Sequence, residues 1–296
     1  MFDYPALQAL AAVVRLGSFE RAAQALNVTP SAVSQRVKQL EERWGAVLVV
    51  RGQPCAATAA GRHLCRHVEQ VGLLEAGLAR HLPGAGAPAP LTLPVAVNAD
   101  SLGTWFIAAA ARFAADSGHL LDLTVDDQDH TAERLRRGEV LAAVTGHGRA
   151  VQGCRVTALG RLRYRITASP AFMARHFPAG VTAAAMARAP ALTFDRKDQL
   201  QRHWLALQFG LDQAGPTHWL PSTQGFVDAC VAGMGWALNP EALVEDHLRA
   251  GRLVDLVPGA HLDVPLFWQV GHLAAKSLAG LTRAVTLAAR ARLVRD

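Results

Sequence analysis

The order of apolar and polar residues divides the chain at a proline- and glycine-rich segment, residues 83–90 (PGAGAPAP), and the pattern differs on its two sides. Upstream, apolar positions recur with a helical period. Leu7, Leu10, Ala11 and Val14 predict one helix with a single apolar face, which Gly17 can stop. Ser18 can cap the next, where Phe19, Ala22, Ala23 and Leu26 repeat the spacing. After a short turn at residues 27–29, Thr29 can cap a third helix, with Pro30 at its favoured first position. At 100° steps, Val33, Val37, Leu40 and Trp44 fall within about 60° of one another and predict the buried stripe. Ser31, Ser34, Gln35, Lys38 and Glu42 point the other way, and Arg36 lies to one flank. Residues 47–51 (VLVVR) predict a strand, 52–54 a tight turn and 55–57 its return, a small wing. Thr58 then caps a long helix whose Leu64, Val68, Val71, Leu74 or Glu75, Leu78 and Leu82 approximate a heptad seam, as for a partner helix.

Downstream, strands and helices alternate. Strands at 91–97, 120–125 and 140–145, with helices at 100–115 and 131–137 between them, imply a parallel sheet, although Pro94 is awkward inside a strand. A second set follows: strand 162–168, short helices from Pro170 and Thr182, strand 191–194, helix 197–208, strand 217–221, helix 222–232, strand 235–239 and helix 240–249. Strand 264–270 and helix 276–293 can return to the first set, giving two α/β lobes with a cleft between them. The expected organisation is an α/β multidomain chain. It has a winged helix-turn-helix at 1–58, a linker and dimerisation helix at 59–82, the linker at 83–90 and a two-lobed domain at 91–296. Lobe one spans about 91–160 plus 264–296, and lobe two about 161–263.

Composition narrows the class. The 296 residues are 51% hydrophobic with a formal net charge of +6, which favours an acidic partner without locating its site. Cys55, Cys65, Cys154 and Cys230 are scattered with no C-x-x-C pair, which fits a reducing cytoplasm. The first residues lack the form of a signal peptide, and no apolar run reaches the roughly 18 residues of a membrane span. No G-x-S-x-G, P-loop or G-x-G-x-x-G is present, so no enzyme is expected. His63, Cys65 and His67 share a helix but lack a fourth ligand, which favours seam or surface over zinc.

Three short helices, a tight turn, an outward Ser/Gln/Lys face and a wing make a winged helix-turn-helix. A structural bundle with a solvated face is the competing reading. A recognition helix enters the major groove N-terminus first, where Thr29, Ser31 and Ser34 allow close approach, and Gln35, Arg36 and Lys38 can meet bases or phosphates. Arg51 beside the wing turn can reach a phosphate or the minor groove. Residues 19–42, FERAAQALNVTPSAVSQRVKQLEE, resemble the DNA-binding helices of LysR-type transcriptional regulators, and the likeness continues through Arg51, Thr58 and Gly61. FERAAQ, SAVSQR, VNADSL at 97–102 and ERLRRGEV at 133–140 resemble the ArgP/LysG branch of that family. The resemblance implies a two-lobed effector domain of the periplasmic-binding-protein type and double-stranded DNA as partner. It also implies lysine or arginine as effector, and control of amino-acid export or metabolism genes. It further implies a cytoplasmic dimer through the linker helix, pairing again into a tetramer. RNA polymerase is a further partner that it allows. A different small polar effector, or a two-lobed solute-binding protein, are the alternatives.

Ligands of such sheets bind beyond the carboxyl ends of the strands. After the first strand come Asn98, Asp100, Ser101 and Thr104, at a helix N-terminus able to receive a carboxylate, although Asp100 could equally be a cap. After the second, Asp126 and Asp127, with Asp129 nearby, could neutralise a basic side chain; a metal is discounted there for want of companion ligands. Thr145, Asp195, Ser222, Thr223, Phe226 and Asn239 complete the expected cleft, and Trp105 is either core or wall. No cofactor is expected beyond the effector.

Overall fold

A computed structural model describes residues 2–79, 90–125 and 131–295. The chain divides into two compact units, residues 1–91 and 92–296.

In the first unit, each of three helices begins on a side-chain cap. Asp3 Oδ1 accepts from the Ala6 N–H at the start of α1 (Tyr4–Leu16), and Ser18 Oγ accepts from the Arg21 N–H ahead of α2 (Phe19–Ala25). Thr29 Oγ1 accepts from the Ala32 N–H at the start of α3 (Pro30–Trp44). These bonds satisfy amides that the first turn leaves open. Their apolar faces meet in one core of Leu7, Leu10, Val13, Ala22, Ala23, Val33, Val37 and Leu40, closed by Leu48 and Val49. Trp44 departs from the expected stripe. It is 49% exposed, because it lies past the helix crossing, and its ring stacks on Phe2 at 5.6 Å.

The wing is shorter than its apolar run suggested. Only β1 (Val49–Val50) and β2 (Ala56–Ala57) pair, antiparallel, with Val49 opposite Ala57. Val47 is exposed, and the Glu41 carboxylate on α3 takes over the entry, accepting from the N–H groups of Leu48 at 2.8 Å and Val49 at 3.3 Å. Helix α4 (Ala59–Ala79) crosses this entry so closely that a Cβ on Gly61 would lie 2.1 Å from the Leu48 carbonyl oxygen. The expected seam on α4 divides: Leu64, Cys65 and Val68 pack on the unit's own core, while Leu74 and Leu78 are exposed. Leu82 and the expected linker, except Pro90, lie outside the described residues.

The second unit is built on β3 (Thr92–Val97), β4 (Leu120–Val125), β5 (Ala142–Thr145), β6 (Cys154–Ala168), β7 (Ala191–Thr193), β8 (Thr217–Trp219), β9 (Ala237–Pro240), β10 (Val254–Asp255) and β11 (His261–Gly271). Among the described residues, one sheet has the order β10-β6-β11-β5-β3-β4, with β9 also on β6; β7 and β8 form a small parallel pair. β3 runs parallel to β4 and β5, as the alternation implied. Pro94 is tolerated because its carbonyl still accepts from the Leu141 N–H, and its missing donor faces the side where β5 has not begun.

β6 and β11 are longer than expected and pair antiparallel from His261 opposite Arg165 to Gly271 opposite Cys154, which carries both strands through the two lobes. Helices cover the sheet: α5 (Ala99–Ser101) and α6 (Ile107–Ser117) with a π-helical stretch at Leu102–Phe106 between them, then α7 (Thr131–Arg137). Lobe two carries α8 (Pro170–His176), α9 (Ala183–Met186), α10 (Leu200–Phe209), α11 (Thr223–Val231) and α12 (Glu241–Arg249). α13 (Ala279–Arg292) returns to pack on α6. Among the described residues no helix is long and apolar enough to cross a membrane.

Candidate functional site

Among the described residues, two places gather polar groups around a groove or cavity. The first is the outer face of α3 with the wing. The caps and apolar stripe fix the phase of α3, and that phase leaves Ser31, Gln35 and Lys38 exposed, with Ser34 and Arg36 half-buried at its margins. Thr29 caps the helix and lies 3.0 Å from the Ser31 hydroxyl. A groove runs between the starts of α2 and α3 and the wing turn, lined by Ser31, Ser34, Arg51 and also by Arg21 and Gln53, which the sequence pattern did not single out.

Gly17 makes the groove's floor. It has φ +66°, and a Cβ there would lie 2.7 Å from Pro54 Cβ, so only glycine lets the wing turn seat against the α1–α2 junction. The Arg51 guanidinium sits 5.4 Å above the Phe19 ring, which holds an exposed cation beside the groove. Lys38 pairs with Glu42 at 3.6 Å, but both side chains are mostly exposed; such a pair is worth at most about 1 kcal/mol and exchanges readily for a phosphate.

The second place is a cavity of about 470 Å³ in the second unit, a size suited to a small molecule. Lobe one contributes Asn98, Asp100 and Gly146. The crossing strands add Tyr164 and residues 262–265, and lobe two adds Phe194, residues 198–201, His203, Thr223, Phe226 and Asn239. Asp100 links its two sides. The Tyr164 hydroxyl donates to Asp100 Oδ2 at 2.6 Å, and the Thr223 hydroxyl, from lobe two, donates to Oδ1 at 2.7 Å. Burial pushes the Asp100 carboxyl pKa up, and these two hydrogen bonds pull against it.

Two other carboxylates reach the wall already committed. Asp263 receives both arms of Arg163 at 2.8 Å, and those hydrogen bonds hold its pKa below the usual carboxylate range. Asp198 accepts from the backbone N–H groups of Phe194 and Leu200. No Lys or Arg is among the described residues of the wall. Three buried amide oxygens there, Asn98 Oδ1, Gln201 Oε1 and Asn239 Oδ1, have no hydrogen-bond partner.

Of the residues expected at the cleft, Asn98, Asp100, Thr223, Phe226 and Asn239 line the cavity. Five do not, four of them because a neighbouring group already holds the side chain. Thr104 donates to the Asp100 carbonyl one helical turn back, and Asp195 accepts from the N–H groups of Lys197 and Asp198. Ser222 caps α11 through the Gly225 N–H. Thr145 is buried, donating to the His147 carbonyl and accepting from Gln269. Ser101 is buried with its hydroxyl unpartnered, but off the wall. Asp126, Asp127 and Asp129 lie outside the described residues. Trp105 is core. On the long helix, His67 lies under Phe2, with ring centroids 4.7 Å apart, and His63 contacts Arg66. Burial pushes the Cys65 thiol up to about 12, with Glu69 adding to the effect.

Tyr164, Asp198, Gln201, His203 and Asp263 were not anticipated. Tyr164 lies well inside β6 and Asp263 near the start of β11, and the β6–β11 register brings them to the wall. Gln201 offered one faint signal, a polar residue on the buried side of a helix.

Residues 5–62 match the family described as bacterial regulatory helix-turn-helix protein, lysR family, and residues 88–290 match the LysR substrate binding domain. The HTH-type transcriptional regulator ArgP of Pseudomonas aeruginosa (strain UCBPP-PA14) is 48% identical over 296 residues, covering 100% of this chain and 98% of the relative. The crystal structure of ArgP from Mycobacterium tuberculosis is 45% identical with a TM-score of 0.82, covering 100% of both chains. Full-length LysG from Corynebacterium glutamicum with bound effector Arg is 38% identical with a TM-score of 0.71, covering 99% of this chain and 100% of that one.

Proposed function

The chain belongs to the LysR-type transcriptional regulators, DNA-binding proteins rather than enzymes, and from that premise we propose that it senses a basic amino acid, arginine or lysine, in the cavity around Asp100. The observation that carries this reading is the charge of the cavity wall. Among the described residues the wall has three carboxylates and no Lys or Arg side chain; Asp263 is already paired with Arg163 behind the wall, whereas the Asp100 carboxylate is met by the hydroxyls of Tyr164 and Thr223. A buried carboxylate in that state is relieved by a cation, so the site favours a ligand that brings one. The bound Arg of the LysG relative supports the same class of effector.

The remaining parts follow from placement. Ser31, Ser34, Gln35 and Lys38 on α3, together with Arg51 on the wing, meet double-stranded DNA in the cytoplasm, and Thr29 and Arg36 frame that face. Exposed Leu74 and Leu78 on α4 support pairing with a second copy, which presents two recognition helices to a two-fold site. The effector acts by binding one arrangement of the lobes better than another, since only differential affinity can shift them.

Thermal shift of the full-length protein against a panel of amino acids tests the effector. Arginine or lysine raises the melting temperature where glutamate, leucine and serine do not. An equal response to every amino acid, or none to the basic pair, refutes the assignment.

A further inference from the structure

We propose that Phe19 is a positioning residue for DNA recognition. Its ring holds the Arg51 guanidinium in place before DNA arrives and leaves the donor edge of that group open for the duplex. The inference rests on the reading that Arg51 meets DNA and adds what aims it.

The backbone on either side of Arg51 is tied down. Before it, the Leu48 and Val49 N–H groups donate to the Glu41 carboxylate of α3; after the turn, the Cys55 N–H donates to the Gly17 carbonyl oxygen at 2.9 Å. The side chain is held differently. Arg51 is exposed, and among the described residues neither a hydrogen bond nor an ion pair holds its guanidinium. Glu20 lines the same groove, but its carboxylate accepts from the Ser18 hydroxyl at 2.6 Å. What meets the guanidinium is the Phe19 ring, whose centroid lies 5.4 Å from the guanidinium carbon. Phe19 is itself fixed: it is the first residue of α2, half-buried, and packs against the unit's core. Because Phe19, Arg51, Ser31 and Ser34 line one groove, the ring keeps the cation on the side where α3 begins.

A ring and a carboxylate anchor a guanidinium in different ways. A carboxylate takes its N–H donors, the same donors that a phosphate or base edge needs, so DNA would have to displace it. A ring attracts the cation through its face and leaves the five edge donors free. The ring therefore orders the side chain without consuming its hydrogen bonds. Ordering it in advance removes part of the rotamer freedom that binding would otherwise cost, which is worth about three- to tenfold in affinity for one long side chain.

A double-mutant cycle on the full-length protein provides the test. Fluorescence anisotropy measures binding to the protein's own upstream intergenic DNA at several salt concentrations, for wild type, Phe19→Leu, Arg51→Ala and the double variant. Leucine keeps an apolar contact with the core but has no ring face. Phe19→Leu lowers affinity about three- to tenfold, with the salt slope unchanged because the Arg51 charge remains. In the Arg51→Ala background the same substitution changes affinity by less than about twofold, since nothing is left to position. A ring that served the core alone would cost the same in both backgrounds. Equal losses in the two backgrounds, or no loss from Phe19→Leu in wild type, overturn this inference and leave the Arg51 contact intact. Undiminished DNA affinity in Arg51→Ala overturns that contact, and this inference falls with it. Should Phe19→Leu fail to fold, NMR of DNA-free wild type decides: Arg51 side-chain protons shifted by the ring current support the inference, and unshifted ones overturn it.

Discussion

The outer face of α3 and the cavity around Asp100 are both polar, but they differ in what the polarity costs the folded chain. Without DNA, Ser31, Gln35 and Lys38 are exposed to water, so that face holds them at no desolvation penalty. The cavity groups are desolvated on folding. Asp100 is pushed toward its neutral form, and three amide oxygens lack donors. Function on the first surface is therefore separable from stability, whereas in the cavity the two are coupled, and substitutions can test that contrast.

The largest effect should come from a residue that contacts neither partner. Gly61→Val forces a side chain against the Leu48 carbonyl, and we expect a loss of about 3 kcal/mol from the first unit. Hydrogen exchange of the first unit's core amides, such as those of Val37 and Leu40, measures it. A smaller loss would mean that the α4–wing crossing gives way more easily than its geometry implies.

Asp100→Asn comes next. Arginine affinity should fall about tenfold or more, the loss of one charged partner. The stability effect has a definite sign. Because the folded pKa of Asp100 is raised, its favourable contribution is complete below the unfolded value of about 3.9 and is lost as pH rises through the folded value. Relative to Asp100→Asn, wild type should therefore lose stability between pH 4 and pH 7, as read by urea melts at both. Over the same window arginine should bind wild type more tightly as pH rises, because its cation favours the ionised carboxylate. A flat difference across that range would remove Asp100 from the coupled class.

The smallest effect on stability belongs to Lys38→Ala, within about 0.5 kcal/mol of wild type because the side chain is exposed. Its effect should lie in DNA binding, with affinity lowered and the salt slope reduced by about 1 if Lys38 meets one phosphate. Fluorescence anisotropy at several salt concentrations measures both.

The same contrast explains how much was legible in the sequence. The first unit depends on relations a few residues apart. The caps Ser18 and Thr29 and the stripe of Val33, Val37 and Leu40 could be read directly, and they set the phase that turns Ser31 and Lys38 outward. Trp44 escaped because periodicity does not say where a helix crossing ends. The α4 seam was overextended because Leu64 and Val68 meet their own core at the same spacing that would suit a partner helix. In the second unit, strand ends located Asn98, Asp100, Thr223 and Asn239, since cleft residues follow strands in this architecture. Ser222 and Asp195 follow the same rule but are held by neighbouring amides, a choice that spacing cannot reveal. Tyr164 depends on a register set by residues about a hundred positions away, and Gln201 on which end of an amide faces Leu192.

The most direct test measures binding of the full-length protein to its own upstream intergenic DNA, by footprinting with and without L-arginine or L-lysine, in wild type, Asp100→Asn and Lys38→Ala. The expected result is a salt-sensitive wild-type footprint that changes with the basic amino acid. Asp100→Asn should keep the ligand-free footprint and lose the change, and Lys38→Ala should bind more weakly with or without ligand. A wild-type footprint identical in the presence and absence of both amino acids, or one equally altered in Asp100→Asn, would contradict the division of labour between the α3 face and the Asp100 cavity.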